Sequence, residues 1–148
     1  MPTSDFYFFD DFAEQVGRGV HRFDSHTFKI ALSNSAPNAS SNSGLGNITQ
    51  ISATGGYTDG AGGGYALDGV TWAQSGNVAK LTVTDEVITA SGGNVGPFRY
   101  AIIYNDTATS PLDALVGYID YGSSLTLADT ESLTVDFDAT DGLLTVTV

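Results

Sequence analysis

The chain has no cysteine and few basic residues. Among its 148 residues, five lysines and arginines stand against seventeen aspartates and glutamates, which gives a formal net charge of −12 at pH 7. Without cysteine the chain can form no disulfide and no thiolate, so a packed core has to stabilise it. Because the excess of acid repels phosphate groups, we expect no nucleic-acid partner and no binding to an anionic membrane.

Long apolar runs are also missing. No stretch approaches the roughly eighteen apolar residues that predict a membrane-spanning helix. Residues 1–5 lack the basic and apolar regions of a secretory signal. We therefore expect the protein to be made in the cytoplasm and to stay out of membranes.

Most of the chain shows the pattern of short β-strands separated by turn residues. Two stretches rich in Ser, Asn, Ala and Gly, residues 34–47 and 55–64, predict surface loops. No helical pattern lies between successive strands, so the sequence predicts an all-β, mainly antiparallel fold, a jelly-roll-like sandwich or barrel formed by residues 1–148 as one domain. The candidate strands are residues 27–32, 65–73, 78–84, 87–90, 98–104, 115–121, 124–127, 133–137 and 143–148.

One short helix is predicted near the N-terminus. Acidic residues lie in its first turn and basic residues near its end, where each suits the helix dipole. We therefore assign residues 1–23 to an N-terminal helical segment and residues 24–148 to the β-sandwich. Apolar residues recur at helical spacing at Phe9, Phe12, Ala13, Val16 and Val20.

The cluster Phe6, Tyr7, Phe8 and Phe9 is more apolar than one face of a helix requires. An excess of apolar surface is typical of a protein interface. These four residues are therefore predicted to form the interface of a homo-oligomer, a dimer or a trimer.

The last two candidate strands resemble a hairpin. Residues 133–137 and 143–148 alternate in polarity on either side of Asp141-Gly142, a pair that favours tight turns. The sequence therefore predicts that these two strands pair with each other. The terminal strand also needs a neighbour, in the sheet or across a subunit contact, because an open apolar edge promotes aggregation.

Weak candidates for a metal site are Asp136, Asp138 and Asp141. Their spacing differs from that of an EF-hand loop, which also needs flanking helices. A turn with solvated acids is therefore favoured, and a weak cation site in a β loop is the alternative. His21 and His26 lack a characteristic ligand spacing and are interpreted as surface or capping residues.

The sequence shows no motif for acyl transfer or nucleotide binding. It has no Gly-x-Ser-x-Gly element, and the glycine-rich residues 55–64 lack the Lys-Ser/Thr ending of a phosphate-binding loop. We therefore predict that the protein is not an enzyme, with no catalytic residues and no cofactor.

A further set of segments comprises residues 12–20, 30–37, 92–100, 104–107, 118–122 and 135–138. Together these segments resemble small virion structural proteins of tailed bacteriophages, and the chain is similar to the capsid decoration or cement proteins of that group. The resemblance implies a β-rich, jelly-roll-like oligomer on the outer surface of the virion head, with the major capsid protein as its partner. A tail, tail-tip or head-fibre subunit is one alternative, and a carbohydrate-binding β-sandwich that uses exposed tyrosines and Trp72 is another.

Overall fold

The computed structural model describes residues 5–148. Every strand pairing in this part of the chain is antiparallel, which confirms the all-β, mainly antiparallel class. The elements are β1 (Phe6–Phe8), α1 (Phe12–Gly17), β2 (Phe28–Ser33), β3 (Tyr65–Ala66), β4 (Thr71–Ser75), β5 (Val78–Thr82), β6 (Glu86–Thr89), β7 (Val95–Asn105), β8 (Leu115–Leu127), β9 (Ser132–Val135) and β10 (Leu144–Thr147).

The larger layer is a five-stranded sheet in the order β1-β8-β7-β2-β3. Its long central strand β7 is covered on both faces, and so is the first part of its neighbour β8, residues 115–119. Ile103 belongs to the main core between the layers, whereas Ile102 belongs to a smaller cluster on the other face, where Leu45 and Ile48 pack. A strand that is buried on both faces accommodates consecutive apolar residues, which explains the composition of residues 98–104.

The smaller layer contains a three-stranded sheet, β10-β5-β4, and a two-stranded sheet, β6-β9. Successive strands β5 and β6 pair with β10 and β9, so the two sheets form one interrupted ladder. Leu81 lies opposite Leu144, and Glu86 lies opposite Val135. Between these pairs, residues 82–85 lead from the end of β5 to β6. They face the longer segment that connects β9 to β10, residues 136–143, which we call the 136–143 excursion.

This ladder corrects the predicted C-terminal hairpin. Strands β9 and β10 do not pair with each other, because each pairs with a different part of residues 78–89. The alternation of polarity was compatible with both arrangements, since it specifies which face is buried and not which strand is adjacent. The Asp141-Gly142 pair lies in the excursion, where Gly142 N donates a hydrogen bond to Asp138 O at 2.9 Å.

The predicted N-terminal helical segment is also corrected. Residues 6–8 form a strand, and the helix covers only Phe12–Gly17. Gly19 follows with φ of +78°, a left-handed conformation that ends helices. Phe9 and Val20 of the predicted stripe therefore lie outside the helix, and residues 1–4 of the segment lie outside the described residues.

The glycine-rich loop, residues 55–64, is not wholly at the surface as predicted. Tyr57 within it is buried in the main core. Its Oη accepts a hydrogen bond from Leu32 N at 3.0 Å and donates one to Gln50 Oε1 at 2.8 Å. The aromatic side chain of Tyr57 thus anchors this loop to β2, and Lys29 of β2 adds a hydrogen bond to Gly62 O at 2.8 Å. The composition of the loop does not indicate this anchor.

The predicted strand bounds were otherwise close. Residues 65–73 divide between β3 and β4, and the candidates 115–121 and 124–127 are one continuous strand, β8. Gly122 has φ of +83° within β8, which allows the backbone to bend there without interrupting the strand. The gap predicted at residues 122–123 between the two candidates was therefore wrong.

We expect Ile103→Asp to abolish folding or to lower the free energy of unfolding by about 3–5 kcal/mol, because it buries a carboxylate without a partner. Val87→Asp is the matched control, since Val87 is 54% exposed. Chemical denaturation of both variants measures the effect. Equal stability of the two variants would contradict the placement of β7 in the core.

We expect Ala79→Cys/Val146→Cys to form a disulfide under mild oxidation, since these residues are direct partners in the β5–β10 ladder. Thr134→Cys/Val146→Cys, the pair that a β9–β10 hairpin would bring together, should stay reduced. In the ladder, Thr134 pairs with Val87 and Val146 with Ala79, so these two residues lie more than about 20 Å apart. Thiol titration and peptide mapping distinguish the two registers, and oxidation of only the second pair would refute the ladder.

Candidate interaction surfaces

The N-terminal strand β1 forms one edge of the larger sheet. Its partner is β8, with Phe6 opposite Ile119 and Tyr7 opposite Tyr118. Phe6 and Phe8 are half-buried against the main core, whereas Tyr7 is 46% exposed. Phe9 follows the strand and is 1% exposed. Of the four residues predicted as an interface, Phe9 is therefore part of this chain's own core, and Tyr7 presents the most surface.

Gly117 lets β1 lie close to β8. A Cβ atom at this position would overlap the ring of Phe6 and would lie 2.6 Å from the carbonyl oxygen of Tyr7. The absence of a side chain at residue 117 thus makes room for the aromatic ring that attaches the edge strand.

Three tyrosines of β1, β7 and β8 form a group that we call the tyrosine patch: Tyr7, Tyr100 and Tyr118. The rings of Tyr7 and Tyr118 are stacked with centroids 5.4 Å apart, and those of Tyr100 and Tyr118 meet nearly edge to face at 6.3 Å. Burial, together with nearby Tyr7, raises the pKa of Tyr118. The patch combines apolar rings with hydroxyl groups, a composition that is enriched in protein interfaces.

An ion pair borders the tyrosine patch. The guanidinium of Arg99 donates two hydrogen bonds to Asp120, at 2.7 and 3.0 Å, and lies 5.3 Å from the ring centroid of Tyr100. The hydrogen bonds from Arg99 lower the pKa of Asp120. The bidentate geometry fixes both side chains and keeps Arg99 over the ring.

A cleft of about 1450 Å³ lies between the two layers, and we call it the inter-layer cleft. Phe6, Tyr121 and Leu125 from β1 and β8 contribute to one wall. Residues 82–85, β9 and the 136–143 excursion contribute to the other. The cleft thus lies where the ladder of the smaller layer is interrupted and leaves part of the inner face of β8, at Tyr121 and Leu125, only partly covered.

Three acidic residues line the inter-layer cleft: Asp85, Asp136 and Asp138. All three are exposed. Asp85 Oδ1 accepts a hydrogen bond from Phe137 N at 2.8 Å, which links the two sides of the interrupted ladder. No lysine, arginine or histidine is among the residues that line the cleft within 5–148. Lys80 lies close enough to add to the lowering of the pKa of Asp138, but three carboxylates outnumber this one ammonium group, so the net charge around the cleft is negative.

The three aspartates predicted as weak metal candidates occupy the 136–143 excursion. Asp138 Oδ1 accepts hydrogen bonds from Thr140 N and Asp141 N, both at 2.8 Å, and these lower the pKa of Asp138. Lys80 Nζ donates a hydrogen bond to the carbonyl oxygen of Thr140. Within residues 5–148, no group of three or more acidic, histidine or cysteine side chains is placed to hold a metal ion. Asp138 therefore organises its own turn.

The two histidines meet at a buried asparagine. Asn105 Nδ2 lies 2.9 Å from His26 Nδ1 and 3.3 Å from His21 Nδ1, and it donates a hydrogen bond to Val20 O at 3.1 Å. His21 is 4% exposed, so the interpretation of His21 as a surface residue was wrong. Burial, together with nearby His26, lowers the pKa of His21 from 6.5 to about 4.

Comparison of the chain with protein-family models, curated proteins and solved structures found no match. No helix among residues 5–148 has the length and apolar character needed to cross a membrane. The surfaces of the fold are therefore the features from which a function can be inferred.

Sequence reasoning missed the inter-layer cleft and the histidine–asparagine contact. Both depend on residues that are distant along the chain, such as Asp85 and Asp138, or His21 and Asn105. The available signal for the cleft was the break in strand pattern near Asp85, but the predicted hairpin placed the 136–143 excursion elsewhere.

We expect stability to fall as the pH is lowered from about 6.5 to about 4. In this range the unfolded chain protonates His21 whereas the folded chain does not, so acid favours unfolding. The loss from this residue is up to about 3 kcal/mol. His21→Phe, which keeps an aromatic ring beside Phe12 and Phe23, should show a shallower pH dependence in urea denaturation. Parallel curves for the parent and variant would refute a neutral, buried His21.

Proposed function

We propose that the protein is a structural subunit of a tailed-bacteriophage particle, and more specifically a capsid decoration protein that binds the outer head surface as a homo-oligomer. The observation that carries this proposal is the tyrosine patch at the edge of the larger sheet. There Tyr7 is exposed on a strand that, among residues 5–148, has a neighbour on one side only. An edge strand with exposed aromatic surface favours association with another chain.

The segments that resemble phage virion proteins belong largely to the framework of the fold. Residues 30–32 lie in β2, residues 98–100 in β7 and residues 118–121 in β8. These strands form the five-stranded sheet that holds the tyrosine patch. A likeness in these strands supports a common fold with the phage proteins. It also agrees with a protein that works by binding partners through its surface.

Charge and repetition also support the proposal. A net charge of −12 on a 15.4 kDa chain opposes non-specific aggregation of the free protein. On a particle, a modest contact repeated by each subunit of an oligomer gains avidity, because the second and third contacts form at a high local concentration. Binding that spans neighbouring capsid subunits stabilises the assembled shell by mass action.

A tail, tail-tip or head-fibre subunit would use the same kind of surface and is the alternative that the particle experiment separates. The carbohydrate-binding alternative receives less support. Trp72 is 37% exposed, but it lies on β4 with Phe23 at 5.7 Å, in a different sheet from Tyr7. Carbohydrate platforms need aromatic rings side by side on one surface, so we place the particle role first.

The test uses particles of the phage that encodes this chain, prepared with and without the protein. We expect heads that lack it to assemble with normal dimensions and to release DNA at a lower temperature in a dye-release assay. Adding the purified protein should restore the release temperature. Tyr7→Lys should fail to restore it, because the change places a charge in the exposed part of the tyrosine patch.

Val87→Lys is the matched control, since Val87 is also exposed but lies on β6, in the other layer. It should restore the release temperature as the parent does. Location of the protein in the tail by electron microscopy, or equal thermal resistance of heads without it, would refute the decoration role.

A further inference from the structure

We propose that the inter-layer cleft binds an extended segment of another protein in which apolar residues alternate with lysine or arginine. This inference does not rest on the proposed function, because it uses only the shape, lining and charge of the cleft.

The shape of the cleft suits an extended chain. The cleft is bordered by Phe6 of β1 and by residues 132–134 of β9, which are terminal strands of their sheets. Each of these strands has a paired neighbour on one side only among residues 5–148. An extended peptide that enters between the layers can pair with such an edge through its backbone.

The lining selects alternating side chains. Phe6, Ile119, Tyr121 and Leu125 form an apolar wall on the side of the larger sheet. The opposite side is mixed: Val83, Leu133 and Phe137 are apolar and buried, whereas Asp85, Asp136 and Asp138 carry carboxylates at its exposed edge. Because successive side chains of an extended strand point in opposite directions, apolar residues would contact the first wall and cationic residues would approach the aspartates.

A second copy of this chain is a poor occupant on charge grounds. It carries a net charge of −12, and each of its five basic side chains already contacts an acid or a carbonyl group of its own chain. The pairs are Arg18–Glu14, Arg22–Asp24, Lys29–Asp106, Arg99–Asp120 and Lys80 with the carbonyl oxygen of Thr140. The cationic segment therefore comes from a different protein.

The test measures binding of four fluorescent peptides of about nine residues, long enough to cover a strand. One alternates valine with lysine, one valine with glutamate, one valine with serine and one serine with lysine. In fluorescence anisotropy at about 0.15 M salt, the valine–lysine peptide should bind at least about tenfold more tightly than the other three. Amide chemical shifts should change in residues 119–127 and 132–143, because these residues line the cleft.

Two triple variants separate the cleft from the general negative charge of the protein. Asp85→Asn/Asp136→Asn/Asp138→Asn removes the cleft charges but keeps the side-chain oxygens that accept hydrogen bonds at residues 85 and 138. Asp10→Asn/Asp24→Asn/Asp59→Asn removes the same charge from exposed positions outside the cleft. The first variant should bind the valine–lysine peptide at least about tenfold more weakly than the parent, and the second should bind it within about twofold of the parent.

Four outcomes would overturn the proposal, and the first three concern the peptide. They are no binding of the valine–lysine peptide, an equal loss in both triple variants, or shift changes outside the cleft. Shift changes in the cleft that grow with protein concentration without peptide would also overturn it, because they would identify a second copy as the occupant. The amide spectrum of the first triple variant shows whether it is folded. If it is, its weaker binding is due to the lost charges.

Discussion

The pairing of β7 with β8 is the contact on which the rest of the structure depends. These are the longest strands, and β7 carries consecutive apolar residues that are buried on both sides of the sheet. Ile102 and Ile103 face opposite clusters, and complete burial of such a side chain contributes about 1.5–3 kcal/mol. Because β7 needs cover on both faces, the smaller layer packs on one side, and Phe9, Leu45 and Ile48 pack on the other.

The interruption of the smaller layer has the opposite effect, because it leaves part of β8 only partly covered. Residues 82–85 are shorter than the 136–143 excursion that faces them, so the ladder separates between β5–β10 and β6–β9. Asp138 stabilises the excursion by accepting two backbone hydrogen bonds. The inter-layer cleft is thus a consequence of the unequal lengths of residues 82–85 and the 136–143 excursion that faces them. Asp138, which forms the turn of the longer segment, is one of the aspartates that make the lining acidic.

Charge distribution links the two proposed surfaces. The basic side chains are few and are engaged within the chain, so the field around the molecule is negative. The tyrosine patch carries Arg99 in a neutralised pair with Asp120, and it offers aromatic contact with little charge. The inter-layer cleft is acidic instead. The two surfaces are therefore suited to chemically different partners, one apolar and aromatic and the other cationic.

The sequence alone determined the all-β class, the location of most strands and the burial of residues 98–104, because local polarity patterns report which residues are buried. It could not determine that β9 and β10 pair with β6 and β5, since the same alternation fits a hairpin. It also missed the strand Phe6–Phe8, whose aromatic residues match a helix stripe as well as an edge strand. The cleft and the contact between His21 and Asn105 were decided only by the tertiary structure, because each forms when packing brings together segments whose local sequence carries no information about their neighbours in space.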